Sequence, residues 1–219
     1  MNIRLYDECA KRVNFDNPKY LSSGECGSVF KLANNKCLKY ITDNYAYDVH
    51  AFQDIIELDL INFCQVYQLL FNENGLFSGY IMKYYDEAIK DILTTETEYT
   101  IESLKQLIIS IAKITNKGIL IRDLNNNNVI LSSDLITVID FDMYKHVHLD
   151  HNTLAKYNYD FIMYLFKCLY LDNLKNNYQY TTEESQKISA LFNNRNTFDE
   201  ISKKLIKYKY PIDYIKRNN

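Results

Sequence analysis

The sequence predicts an α+β chain in which a mainly β part, about residues 1–85, meets a mainly helical part, about residues 86–219. Three observations predict it. Turn-separated runs of β-forming residues crowd the first part around a single helical pattern. The clearest amphipathic helix lies in the second part. No internal repeat and no Gly/Pro/Ser linker divides the two, so the boundary near Asp86 reads as a hinge between lobes of one domain.

The elements follow in order. "YLSSGECGSVFKL" and "NNKCLKYI" read as strand, tight turn and strand, with Val29, Phe30 and Leu32 as β-formers and Asn34-Asn35 as a second turn. Over residues 49–63, Phe52, Ile55, Ile56, Leu60 and Phe63 recur at helical spacing. "CQVYQLLF" and "LFSGYIMKYY", on either side of Asn72-Glu73-Asn74-Gly75, form a second antiparallel pair. Thr100 is then the expected N-cap of a helix with Glu102 in its first turn, an apolar stripe through Leu104, Leu107, Ile111 and Ile114, and a stop at Gly118. Short strands follow near 129–131 and 137–139. "YDFIMYLFKCLYL", apolar almost all round, reads as a buried helix, and "TTEES" and "TFDE" are capping signals in a helical tail.

At 219 residues the chain is long enough to bury a core, and its 47% hydrophobic and 24% charged composition excludes a fibrous or disordered protein. A net charge of −3 supplies no basic field, so no nucleic-acid partner is expected. Cys9, Cys26, Cys37, Cys64 and Cys168 are odd in number and scattered, and none forms a C-x-x-C pair; this indicates neither a disulfide framework nor a zinc ribbon. Asp7 and Glu8 stand where a signal peptide needs an apolar run, and no stretch approaches the ~18 apolar residues of a membrane helix. The expected location is the cytoplasm, or a host-cell cytosol reached without a cleaved signal. Abundant Asn, Tyr, Ile and Lys without Trp reflects an AT-rich genome, which by itself discounts the run Asn125, Asn126, Asn127, Asn128.

Phosphoryl transfer from a nucleotide needs a roof for the phosphates, a cation to orient them, and acids or amides to hold magnesium and the acceptor. "SSGECGSV" offers a roof, because Gly24 and Gly27 let backbone amides approach phosphate; the plainer reading of two glycines is a turn. Lys39, inside the apolar "CLKYI", needs a partner if it is buried, and the plainer reading is an edge-strand lysine facing water. Asp54 or Glu57, on one face of the first helix, is the expected partner. Asp123 lies in a loop where it can accept the proton of an attacking hydroxyl. Asn128 follows at a spacing that returns its amide oxygen toward a metal, and Asp140 ends the strand "ITVID", where burial is costly without a cation or amides. Each has a bland reading alone; their shared order and spacing does not.

"GILIRDLNNNNVIL" followed by "VIDFD" resembles the catalytic and metal-binding loops of the protein-kinase-like superfamily, H-R-D-L-x-x-x-N and D-F-G. The likeness runs from about residue 20 to 169. It implies a two-lobed fold with a small β-rich lobe and a helical lobe around ATP, held with Mg2+ or Mn2+. Asp123 would be the base or acceptor-orienting acid, Asn128 and Asp140 would hold the metal, and Lys39 would steady the α and β phosphates with Glu57 as its ion-pair partner; an ungapped reading favours Asp54. Ser22, Gly24, Gly27 and Val29 resemble the glycine-rich roof. Met82 resembles the gatekeeper, Lys83, Tyr84 and Tyr85 the adenine-contacting hinge, and Asp160 the acid of the central helix that braces the catalytic loop. Arg122 would pair with the activation segment.

The chain departs from the pattern at Ile121 for histidine, Asn125 for the lysine on the acceptor side, and Asp142 for the D-F-G glycine, and it lacks an A-P-E segment. The resemblance implies a protein serine/threonine kinase; the alternatives are a small-molecule kinase of the aminoglycoside, choline or sugar type, whose acceptor is also a hydroxyl, and a pseudokinase acting as a binding module. Two further patterns stand outside it. His146, His148, His151 and Asp150 have spacings that suit a transition metal, with incidental loop histidines as the plainer reading. In the tail, Lys203, Lys204, Lys207, Lys209, Lys216 and Arg217 are interleaved with Tyr208, Tyr210 and Tyr214, a pattern that can grip an acidic partner or a membrane surface, with a solvated helix face over packed tyrosines as the plainer reading.

Overall fold

Strand β5 (Lys36–Ile41) carries Lys39 and is the seam of the structure, a computed structural model that describes residues 4–43, 45–85, 97–131, 135–177, 182–193 and 196–207. It is flanked by β4 (Gly27–Lys31) and β7 (Phe77–Lys83), with β3 (Lys19–Ser23) beyond β4 and β6 (Val66–Phe71) beyond β7. Two short strands, β1 (Leu5–Tyr6) and β2 (Arg12–Val13), extend the sheet past β6 to seven antiparallel strands in the order β2-β1-β6-β7-β5-β4-β3. Asp7 closes this hairpin by accepting from the amides of Cys9 and Lys11 at 2.9 and 2.8 Å, and Ala10 takes a φ of 57°.

Alternation along β5 divides the sheet into two faces. Leu38 points outward and is fully buried, because Leu5, Val13 and Phe15 from the N-terminal segment close over it together with Leu70 and Ile81. Cys37 and Lys39 point to the opposite face, toward the main core with Tyr80 and Met82. The turn at Asn34-Asn35 has φ of 58° and 53°, which two asparagines adopt at small cost. Gly27 and Gly79 flank β5 so closely that a Cβ would stand 2.2 Å from the carbonyl oxygens of Tyr40 and Lys39 respectively. Gly27 is thus required by strand packing.

Helix α1 (Val49–Glu57) is capped by Asp48, whose carboxylate accepts from the Ala51 amide at 3.0 Å, and it buries Ala51, Phe52 and Ile55. It is shorter than its hydrophobic spacing predicts. Asp59 turns the chain with a φ of 46°, and after a further turn Phe63 forms a parallel bridge with Val138 of the second part of the molecule. Asn62 is fully buried there: its amide donates to Ile136 O at 2.9 Å and its oxygen accepts from Ser110 Oγ at 3.3 Å, while its backbone carbonyl takes the Val138 amide at 2.7 Å.

The second part contains α2 (Thr97–Asn116), α3 (His151–Asn177), α4 (Thr182–Asn193) and α5 (Phe198–Lys207), so the described residues form an α+β fold with five helices. Helix α2 begins before the expected cap, and Thr100 lies buried inside it. Gly118, at a φ of 76°, ends it as expected. Strand β8 (Ile119–Leu120) pairs with β11 (Lys145–His146), and β9 (Val129–Leu131) with β10 (Ile136–Val138). The predicted cap of α5 is present, with Thr197 and Glu200 exchanging hydrogen bonds at 2.8 and 3.3 Å. No helix among the described residues is long and apolar enough to cross a membrane. In the basic aromatic tail, Lys203 and Lys204 are exposed on α5; Tyr208, Lys209, Tyr210, Tyr214, Lys216 and Arg217 lie outside the described residues.

A polar clasp ties α1 to the helical part. His146 contacts Asp48 through Nδ1 at 3.2 Å and Asp54 through Nε2 at 3.1 Å, its amide donates to Asp48 at 2.9 Å, and Lys117 Nζ lies 3.1 Å from Asp54. Burial opposes ionisation of Asp48, but the amides of Ala51 and His146 outweigh it and hold its carboxyl below the usual range. Lys117 and then His146 do the same for Asp54. Carboxyls lowered on folding add stability that is complete above their unfolded values, near pH 4, and is lost as pH falls through the folded ones. The Asp48→Asn/Asp54→Asn double variant, which keeps an N-cap side chain, is therefore expected to be less stable than wild type at pH 7, with the gap closing below about pH 3 in urea titrations.

Candidate functional site

The site forms where β5 meets the loop after β10. Phe141 sends its ring into the core against Phe52 and Phe63, with ring centroids 4.8 and 5.2 Å away, so that the acids on either side of it, Asp140 and Asp142, both meet Lys39. Lys39 Nζ lies 2.6 Å from Asp140 Oδ1 and 2.8 Å from Asp142 Oδ2. The first contact is a directed hydrogen bond; the second is an ionic approach without that alignment. Burial alone would push the Lys39 ammonium toward neutrality, but Asp142 and Asp140 outweigh it and keep it charged. At Asp142, burial and then the neighbouring charge of Asp140 push the carboxyl upward against the pull of Lys39. The Tyr80 ring lies beneath, with its centroid 5.9 Å from Nζ.

Neither helix acid reaches this lysine, which corrects the expected pairing. Asp54 is held by His146 and Lys117, and Glu57 is exposed on the last turn of α1 beside Gln53 and Tyr67. Asp48 at the helix cap and Asp54 in the helix body are both drawn to His146 of β11. Asp142, which stands at the position of the D-F-G glycine, takes the place of Asp54 and Glu57 beside Lys39.

Asp123 occupies the loop between β8 and β9 with a φ of 52°, uncommon for a residue other than glycine. Each of its carboxylate oxygens accepts from an asparagine: Asn125 Nδ2 at 2.7 Å and Asn128 Nδ2 at 2.8 Å. Asn125 also accepts from the Asn127 amide at 2.8 Å, capping the 3-10 turn Asn126–Asn128. Its amide and oxygen are therefore engaged within the loop, whereas the sequence placed it on the acceptor side. With its nitrogen on Asp123, Asn128 has its amide oxygen left as the group to offer a cation. Its backbone carbonyl accepts from Ile139 at 2.9 Å, which ties this loop to the segment carrying Asp140.

The brace beneath the loop is Asn158, a residue sequence reasoning missed. Buried in α3, it accepts from the Ile121 amide at 2.9 Å and donates to Thr115 Oγ1 and Ile119 O, both at 2.9 Å. Asp160, the expected brace, is exposed two positions on. Ile121 is fully buried, and Arg122 is exposed without an ion pair among the described residues.

The roof and hinge are less committed to a ligand. Ser22 and Gly24 are exposed in the β3/β4 hairpin, and Val29 lies opposite Lys39 in the sheet. Met82 is buried against Cys64, with sulfurs 3.6 Å apart. The amides of Lys83 and Tyr84 already donate to Gln65 O and Asn35 O, at 2.9 and 2.8 Å, and Lys31 Nζ stands 4.2 Å over the Tyr84 ring. A cavity of about 950 Å3 at the junction is lined by Cys64, Lys83, Tyr84, Ile130 and Phe141, without Lys39 or Asp140.

Burial pushes the Cys37 thiol up to about 11 and raises Cys64 further, so neither is a nucleophile at neutral pH. The histidines diverge: His146 joins the α1 clasp and His151 Nε2 lies 3.0 Å from Asn116 Oδ1. No group of three or more His, Cys, Asp or Glu converges among the described residues. An oxygen-seeking divalent cation sharing a bound phosphate requires less, and Asp140 with Asn128 supplies that donor type.

Replacing Asn158 with alanine is expected to cost about 2–3 kcal/mol in urea denaturation, because the Ile121 amide and Ile119 carbonyl are left buried without partners. Asp160→Asn should stay within about 0.5 kcal/mol of wild type.

Set against protein-family models and curated proteins, the chain matches none, and its function is read from these residues.

Proposed function

We propose that this chain is an ATP-dependent phosphotransferase acting on an alcohol, in the manner of a protein serine/threonine kinase, with the sheet and the helical part as its two lobes. The observation that carries the reading is the 2.6 Å contact of Lys39 with Asp140, residues 101 apart in the chain, beside a loop in which Asn128 clamps Asp123. An ammonium, a cation-binding acid and a proton acceptor stand in neighbouring segments as phosphoryl transfer needs.

In the proposed reaction Lys39 orients the phosphates. Asp140 and the Asn128 oxygen hold magnesium, which when bound neutralises phosphate charge. Asp123, fixed by Asn125 and Asn128, takes the proton of the acceptor hydroxyl as its oxygen bonds to the γ-phosphorus and the bond to the bridging oxygen of ADP breaks. Since the amides of Lys83 and Tyr84 are engaged, the base is expected to be held more by apolar contact with Val29, Met82 and Tyr84 than by hinge hydrogen bonds.

A small-molecule acceptor is favoured by one observation. Helix α3 begins at His151, soon after Asp142, and β11 occupies part of the interval, which leaves little chain for a peptide platform.

Intact-mass analysis after incubation with magnesium-ATP, alone and with a panel of amino alcohols and sugars, decides between them. A protein phosphate adduct is expected, with Asp123→Asn slowing its formation by about 100-fold or more. Transfer to a small alcohol without an adduct would establish the second reading. Nucleotide bound with transfer to neither acceptor would refute phosphotransfer and leave a binding module.

A further inference from the structure

We infer that Asp142 is the positioning acid of Lys39, so that the phosphate-orienting lysine takes its ion-pair partner from the metal-binding loop itself and not from an acid of helix α1. The inference rests on the phosphotransferase reading and adds how that site is assembled. Asp142 Oδ2 lies 2.8 Å from Lys39 Nζ, and its side chain is 1% exposed. Neither of its buried oxygens has an aligned hydrogen-bond partner, and Lys39 is its ion-pair partner among the described residues. An unpaired buried carboxylate is strongly unfavourable, and Lys39 is the cation that offsets it.

The geometry also removes the competing source. Both helix acids are accounted for elsewhere: Asp54 in the clasp with His146 and Lys117, Glu57 at the surface. Phe141 fixes the loop by packing on Phe52 and Phe63, so Asp140 and Asp142 approach the lysine together. A lysine oriented by an acid on a mobile helix can be switched off by moving that helix. Here the orienting acid sits two residues from the proposed metal ligand, and the site is assembled whenever the loop is folded.

Two readouts on the full chain test this, one of them independent of nucleotide. In the first, acylation of Lys39 by acetic anhydride is timed by peptide mass spectrometry. Asp142→Asn, which preserves shape, is expected to speed labelling about tenfold by releasing part of the charge hold on the ammonium, whereas Glu57→Gln leaves the rate unchanged. In the second, the magnesium-ATP KM is expected to rise about tenfold in Asp142→Asn with a smaller change in kcat, and the Asp142→Asn/Lys39→Met variant is expected to be no worse than Lys39→Met alone. A urea midpoint for each variant establishes that it is folded. Unchanged Lys39 labelling in folded Asp142→Asn, faster labelling in Glu57→Gln, or additive losses in the double variant would overturn the inference. Failure of wild type to bind or turn over magnesium-ATP refutes the phosphotransferase reading, and the labelling comparison still decides the placement of Lys39.

Discussion

A buried ammonium is the constraint on which this structure turns. Lys39 sits in a central strand with hydrophobic neighbours, and an unpaired charge there would be expelled or neutralised. Its two carboxylates come from one loop about a hundred residues downstream, so satisfying the lysine means docking the sheet onto the helical part. The aromatic cluster of Phe52, Phe63, Phe141 and Tyr144 supplies the apolar driving force of that docking, and the ion triad fixes its register. Either alone is insufficient. Aromatic packing tolerates sliding, and buried ion pairs barely offset their own desolvation.

Asparagines do much of the remaining polar work. Asn62 joins the segment after α1 to β10 and α2, Asn158 holds the backbone at Ile119 and Ile121, and Asn125 and Asn128 clamp Asp123. A carboxamide donates and accepts at once without bringing a charge into the interior, so it can satisfy a carbonyl and an amide together where an aspartate would leave a carbonyl unpaired. The asparagine-rich composition thus supplies hubs as well as filler. Of the four consecutive asparagines, two hold the acid, and only Asn127 is exposed.

What could be read from the sequence was mostly local. The Asn34-Asn35 turn, the stop at Gly118 and the Thr197/Glu200 cap depend on a few neighbouring residues, and each stands where it was expected. The approach of Lys39 to Asp140 was not read in advance: Asp54 or Glu57 was the expected partner, because the strand and the loop lie about a hundred residues apart. The misses are long-range. Hydrophobic spacing extended α1 to Phe63, because Leu60 and Phe63 are buried by the helical part and not by a helix of their own. The sparse Leu5, Val13 and Phe15 of the N-terminal segment close over Leu38, Leu70 and Ile81 on the outer face of the sheet, contacts that local patterning does not reveal. Asn158 was passed over for Asp160 because position along a helix reveals its inward face only when the neighbours are known. The stripe of Leu154, Asn158, Ile162, Leu165 and Leu169 contains that signal at three- and four-residue spacing.

The charge balance of the site follows from the same geometry. Lys39 brings one positive charge to two acids in a poorly solvated place, and burial first, then the charge of Asp140, push the Asp142 carboxyl upward. A phosphate alone would add only negative charge there, and a divalent cation alone only positive. A nucleotide that arrives with magnesium adds charge of both signs to the places where each is wanted: phosphate oxygens beside the ammonium, the cation beside Asp140. Under the proposed function, the second acid therefore sets a condition on the ligand as well as on the lysine: the site accepts the metal complex of a nucleotide in preference to the free polyphosphate.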